Sequence, residues 1–263
     1  MLKKGLLSGI LLVFFAILIV ISCQNDDSGS NDDGIDHNFN AANNLGAGQS
    51  ANEFLSSSEF TSMRIELAYP DGFRPTQQSI DLLVPFLQER LNKPDGITLV
   101  ESVIVSDETA PYSTAEIRAI EEANRTVFNS GDELGVYIFF SDGSSDGDSG
   151  TSVTLGTAYR NTSMVIYQQT FLELGNNSPT GINRAILETS TLRHEFGHLF
   201  GLVDFGTDEQ EPHEDVNAAH HCNVEGCLMQ ASVMTSMFNT SSIDAIPDFD
   251  PLCIQDLQAN GGL

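Results

Sequence analysis

Between Thr191 and Asp204 the chain reads Thr-Leu-Arg-His-Glu-Phe-Gly-His-Leu-Phe-Gly-Leu-Val-Asp. On a helix, His194 and His198 lie on one face about one turn apart, so both imidazoles can reach one metal ion. Glu195 stands beside the pair and is not needed as a ligand. It is therefore free to take a proton from a hydrolytic water as general base. Gly201, three residues after His198, suits a helix end that turns sharply. Leu192, Phe196, Leu199 and Leu202 make the other face apolar, as a buried helix requires. The competing reading is a core helix with two hydrogen-bonded histidines.

A helix of this kind needs a fold around it. The first residues are not part of that fold. Lys3 and Lys4 precede an apolar run from Leu6 to Ile21, which ends Val-Ile-Ser-Cys23. A basic start, an apolar run and a small residue before the cut describe a secretory signal over residues 1–22. The alternative is an uncleaved N-terminal membrane anchor. Both place the remainder outside the cytoplasm. Residues 23–52 are rich in Asn, Asp, Gly and Ser, too polar to bury a core, and read as a flexible tether. Residues 53–263 are long enough for one domain with a sizeable core. The net charge of −26 argues against nucleic acid or anionic lipid as a charge-driven partner.

Within that domain, alternation over Met63–Tyr69 predicts a strand. A helix is expected over Thr76–Leu91 with Pro85 inside it, and a strand over Ile97–Val105. Ser113 and Glu116 form a capping box opening a helix to about Phe128, with Ile117, Ile120, Val127 and Phe128 inward. Leu134–Phe140 is a continuous apolar strand. Strand and helix in alternation imply an α/β (α+β) fold, with a mixed, mostly parallel twisted sheet covered by helices. Asp142, Asp146 and Asp148 lie in a glycine-rich loop that is compatible with Ca2+, though more in keeping with a solvated loop. Val153–Tyr159 and Ser163–Tyr167 predict two short strands ahead of the metal helix, itself expected over Gly181–Leu202. One of the two is a candidate for pairing with an extended substrate, the alternative being an ordinary hairpin.

Extended to Gly201, the motif H-E-x-x-H-x-x-G resembles the metzincin zinc peptidases. That family closes its site with a third ligand three residues after the glycine, where this chain has Asp204. Further on, His221-Cys-Asn-Val-Glu-Gly-Cys-Leu-Met229 is similar to the archaemetzincin branch. There the histidine is the third zinc ligand, and the first cysteine pair opens a structural zinc site. In this chain residues 204–220 separate the two halves as an insertion. The resemblance, from about Ala185 to Asp256, implies a zincin-like fold with an active-site helix and a loop-rich C-terminal subdomain. It favours His221 as third ligand, with His213 and Asp204 as alternatives and His220 as a neighbour of the site. It places Met229 in a turn beneath the metal, with Met234 as the alternative. It also implies a second zinc site of Cys222, Cys227, Cys253 and Asp256. A Cys222–Cys227 disulfide with Cys253 free competes with that site, because three cysteines cannot all pair. The N-terminal cysteine resembles a bacterial lipobox, so Cys23 would carry lipid. The acidic Gln-Asn-Asp-Asp after it resembles a surface-export signal of Bacteroidetes lipoproteins. Together these imply a zinc metallopeptidase anchored by lipid in the cell envelope, at the outer membrane or cell surface, acting on peptide or protein substrates. Two other classes remain: a catalytically silent surface-binding lipoprotein, and a zinc hydrolase of non-peptide amide bonds.

Overall fold

The computed structural model describes residues 18–20, 41–106, 110–150, 152–177, 182–234 and 242–263. Cys23 and most of the expected signal segment lie outside the described residues. The exception is strand β1 (Leu18–Val20), which pairs in parallel with β5 (Ser152–Val153) and antiparallel with β10 (Ser232–Met234).

The main sheet grows from β4 (Glu133–Phe140), whose apolar run is buried on both faces. β2 (Ser62–Tyr69) flanks it on one side and β7 (Ser163–Ile166) on the other. β3 (Gly96–Val103) and β6 (Gly156–Arg160) are the two edges, giving the order β3-β2-β4-β7-β6. All pairings are parallel except β6 against β7. The mixed, mostly parallel sheet is the one the alternating pattern predicts. Side chains alternate across it. Val136, Ile138 and Phe140 join Leu83 and Leu87 of α2 (Gln77–Gln88) and Phe196 of α5 (Arg184–Leu199) in one core. Tyr137 and Phe139 join Ile117 and Ile120 of α3 (Thr114–Asn124) in a second core on the opposite face.

Local signals explain most boundaries. The Thr76 side chain caps α2, which carries Pro85 without breaking. Ser113 and Glu116 form the expected reciprocal cap on α3. That helix stops at Asn124 rather than near Phe128. Arg125 turns extended, and its guanidinium donates to the carbonyls of Val127 and Gly135. Val127 and Phe128 are therefore only half-buried. The strand expected over Val153–Tyr159 breaks at Thr154–Leu155 into β5 and β6. Helix α4 (Gln168–Asn177) occupies a stretch the sequence left unassigned.

The tether expectation also needs correcting. Residues 41–52 pack into the domain. Asn43 is fully buried, and its side-chain amide donates to the Thr162 hydroxyl at 2.9 Å and to Asn129 Oδ1 at 2.8 Å. Helix α1 (Ala51–Leu55) puts Phe54 and Leu55 in the core. A few well-placed polar and apolar side chains anchor a segment whose average composition is that of a linker.

Beyond α5 the chain is loop-rich. It holds the short hairpin β8 (Glu214–Asp215) and β9 (Ala218–Cys222), then β10, then α6 (Pro251–Ala259) capped by Asp250. Among the described residues no helix is long and apolar enough to cross a membrane.

Candidate metal centre

Helix α5 begins at Asn183, whose side chain accepts from the amides of Ala185 and Ile186. From Ala185 to Leu199 every side chain but Arg193 is buried. The helix closes at Gly201, whose φ of +69° is the left-handed turn expected there.

His194, His198 and His221 come together, each fully or nearly buried, with one ring nitrogen apiece within 4.8 Å of the others. The Nε2 atoms of His194 and His198 are 3.0 Å apart. Backbone carbonyls set the tautomers of two of the rings, while His198 Nδ1 is buried without a partner. His194 Nδ1 donates to the Leu228 carbonyl at 2.7 Å, and His221 Nδ1 to the Ala219 carbonyl at 2.9 Å. Each ring then turns an Nε2 lone pair inward. His221 Nε2 is buried with no hydrogen-bond partner. Converging lone pairs without a donor are costly unless a cation sits among them. The donor set thus fits a metal of the imidazole-preferring kind, zinc included. Burial holds His194 down to about 3 and keeps His198 and His221 below their ordinary values, so the rings are neutral, as ligands must be.

Glu195 lies on the same helix. Its Oε2 accepts the Ala158 amide of edge strand β6 at 2.9 Å, and its buried Oε1 has no partner. Burial raises its pKa well above the usual carboxylate range. Beneath the histidines, Met229 packs so closely that a Cβ on Gly197 would come 2.3 Å from its sulfur. A side chain there would displace Met229 from under the helix. Met229 is thus the methionine under the helix; Met234 belongs to β10, and its side chain is outside the described atoms.

The alternative third ligands lie elsewhere. Asp204 is exposed, with φ +57°. His213 is buried against Cys253 and Asp256, its Nε2 3.5 Å from each. His220 stacks on Phe205 with ring centroids 4.2 Å apart.

A second group gathers Cys222, Cys227, Cys253 and Asp250, again within 4.8 Å. Cys227 and Cys253 sulfurs are 3.7 Å apart, and Cys222 Sγ is 3.2 Å from Asp250 Oδ2. All three thiols are free, so the Cys222–Cys227 disulfide is not formed. The amides of Val224 and Met229 donate to the sulfurs of Cys222 and Cys227. Hydrogen bonds from the other two thiols hold Cys222 down to about 5. Three sulfurs and a carboxylate with amides aimed at the sulfur fit a structural metal. The carboxylate is not Asp256, as the Cys253-x-x-Asp256 spacing suggested. Asp256 Oδ1 accepts the Gln210 amide at 2.7 Å and its Oδ2 faces His213. Asp250 takes the place from the N-cap of α6. The Asp-Pro pair at 250–251 signals a helix start but carries no hint of ligation. Leu228 and Ala158 act through main-chain atoms and leave no trace in side-chain identity.

Asp142, Asp146 and Asp148 do not form such a group among the described residues. Asp142 instead accepts from Tyr112 and Asp148 from the Thr154 amide.

No family model matches this chain. No curated protein matches it either. Among solved structures it is similar to archaemetzincin from Methanopyrus kandleri, with 20% identity over 76% of this chain and 96% of that one, and a TM-score of 0.45.

Proposed function

We propose that this chain is a zinc-dependent peptidase of metzincin type, nearest the archaemetzincin branch, with the metal held by His194, His198 and His221. One observation carries the reading. Two inward-facing imidazoles share a buried helix with a carboxylate whose Oε1 has no partner, and a third, His221, converges on them from β9. A bound zinc ion supplies Lewis acidity and lowers the pKa of water toward ~7. The chain's own groups supply the rest. Glu195 Oε1 takes a proton from the attacking water and returns it to the leaving amine. The Ala158 amide fixes the carboxylate through Oε2, so the free oxygen keeps one direction. A raised pKa suits a group that must hold the proton between the two transfers. Strand β6, antiparallel to the rest of the sheet, borders the site and is the candidate for main-chain contact with an extended peptide.

The thiol-and-Asp250 cluster takes a second, structural zinc in this reading. Lipid attachment at Cys23 and a cell-envelope location rest on the lipobox-like sequence alone. Replacing Cys23 with Ala and following incorporation of labelled fatty acid tests them.

An intact Glu195 with a free Oε1 favours catalysis over a silent binding module. The test is Glu195→Gln assayed on an unfolded protein and on peptidoglycan. Loss of protein cleavage by about 10²–10⁴-fold with unchanged zinc content is expected. Unchanged cleavage rejects the mechanism. Release of peptidoglycan amides without protein cleavage moves the substrate to non-peptide bonds.

A further inference from the structure

The two groups of ligands are not independent. His221 and Cys222 are consecutive residues of β9, so their side chains leave the strand on opposite faces. One serves the imidazole centre and the other the thiol cluster. The loop that follows repeats the arrangement. Cys227 enters the cluster, while the next carbonyl, that of Leu228, holds His194 Nδ1. Met229 then packs under Gly197, its amide on Cys227 Sγ and its carbonyl accepting the Cys222 amide at 2.8 Å. One short stretch, residues 221–229, therefore supplies a ligand, a ring-orienting carbonyl and a packing floor to the first centre, and two ligands to the second.

The insertion is fastened to the same cluster. His213 is fully buried, and its carbonyl accepts the amide of Asn223, just past β9. Its Nε2 lies 3.5 Å from the sulfur of Cys253. Three residues earlier, the Gln210 amide binds Asp256 on α6. The insertion thus meets α6 at two points, one of them a cluster ligand. Little apolar burial holds this region: of residues 208–220, only His213 is buried.

We propose that metal at the Cys222–Cys227–Asp250–Cys253 cluster builds the imidazole centre by holding His221 and the Leu228 carbonyl in place, with His213 as a positioning residue that pins the insertion to Cys253. The inference rests on the reading of His194, His198 and His221 as a metal centre. It predicts ordered loading, with the cluster first. An unfilled cluster leaves β9 and the 221–229 loop free to move, and each added freedom lowers the fraction of chains with three imidazoles in register.

The test uses the metal-free full chain in detergent, titrated with Co2+. Thiolate-to-cobalt charge transfer reports the cluster, and visible ligand-field bands report the imidazole centre. In the wild type the charge-transfer band should saturate before the imidazole signal rises. Cys253→Ser should weaken Co2+ binding at the imidazoles at least tenfold. Asp250→Asn keeps a residue able to cap α6, so it separates ligand loss from misfolding. It should act in the same direction. His213→Ala should retain the charge-transfer band yet weaken the imidazole site several-fold, and His213→Gln should recover part of that loss. His221→Ala should abolish the imidazole signal and leave the cluster filled. Wild-type affinity at the imidazoles in both Cys253→Ser and Asp250→Asn overturns the coupling and leaves the peptidase reading standing. A wild type that fills only the cluster overturns both.

Discussion

Strands β2, β4 and β7 bury nearly every residue they contain, whereas residues 208–220 bury only one side chain, His213. The first region is ordered by apolar area and by main-chain ladders that any run of Val, Ile and Phe would build. The second is ordered by a handful of polar atoms: three sulfurs, two carboxylates and one imidazole. The imidazole centre lies on the seam. Two of its ligands ride on α5, packed on the sheet, and the third arrives from the region with little core. Under the coupling proposed above, half of the metal site is held rigid by the fold and the other half is conditional on a second metal.

The largest effect that can break this contrast is metal removal. A strong chelator should raise amide exchange across 205–234 and 242–263 by orders of magnitude while β2, β4 and β7 keep their protection, because structural zinc contributes on the order of 10 kcal/mol in small metal-folded units. Equal protection in both regions with and without chelator would falsify the contrast. Next in size is Phe139→Ala, in the core on the far side of the sheet. It should cost about 3–5 kcal/mol in urea unfolding and leave the zinc count unchanged. A lost zinc would mean that the sheet also supports the second region.

Acid tests the seam. In the metal-free chain, burial lowers His194 from 6.5 to about 3. Between those values the unfolded chain binds the extra proton. Stability present above pH 6.5 is therefore lost as pH falls toward 3, at up to about 1.4 kcal/mol per pH unit for such a group. Urea midpoints at pH 7, 6 and 5 should show this slope in the wild type and a shallower one in His194→Gln. Parallel slopes would show that the ring is not buried neutral. The smallest effect is Ser113→Ala. Loss of the α3 cap should cost about 1 kcal/mol and leave both metal centres intact, read by thermal melting with zinc analysis.

The sheet and α5 were legible because each rests on local periodicity or on fixed spacing. Leu134–Phe140 reads as a buried strand from its composition alone, and His194 with His198 from a four-residue repeat. His221 was reachable only by resemblance, since nothing local says that a strand beyond an insertion returns to the helix. Asp256 misled because the archaemetzincin resemblance set it in the place of a ligand. The fold instead turns Asp256 toward Gln210 and His213 and brings in Asp250, whose position depends on how α6 docks. Helix α4 was missed because it has only scattered apolar positions, Phe171 and Leu174 among them. The packed part of the polar N-terminal stretch was missed because burial of Asn43 depends on partners 86 to 119 residues away.

The two edges of the sheet differ in what they offer a passing chain. β6 is buried along its length, and its Ala158 amide is already bound by Glu195. β3 buries only Ile97 fully, and Val103 at its end and Val105 just beyond it are 68% and 73% exposed. In the main sheet, self-association through strand pairing therefore starts more readily at the β3 edge. What opposes it is like charge: a chain of net charge −26 repels its own copy. That barrier is set by the solvent as much as by the sequence. It weakens as the Debye length shrinks from ~10 Å at 0.1 M salt to ~3 Å at 1 M, so the protection of this edge falls as ionic strength rises.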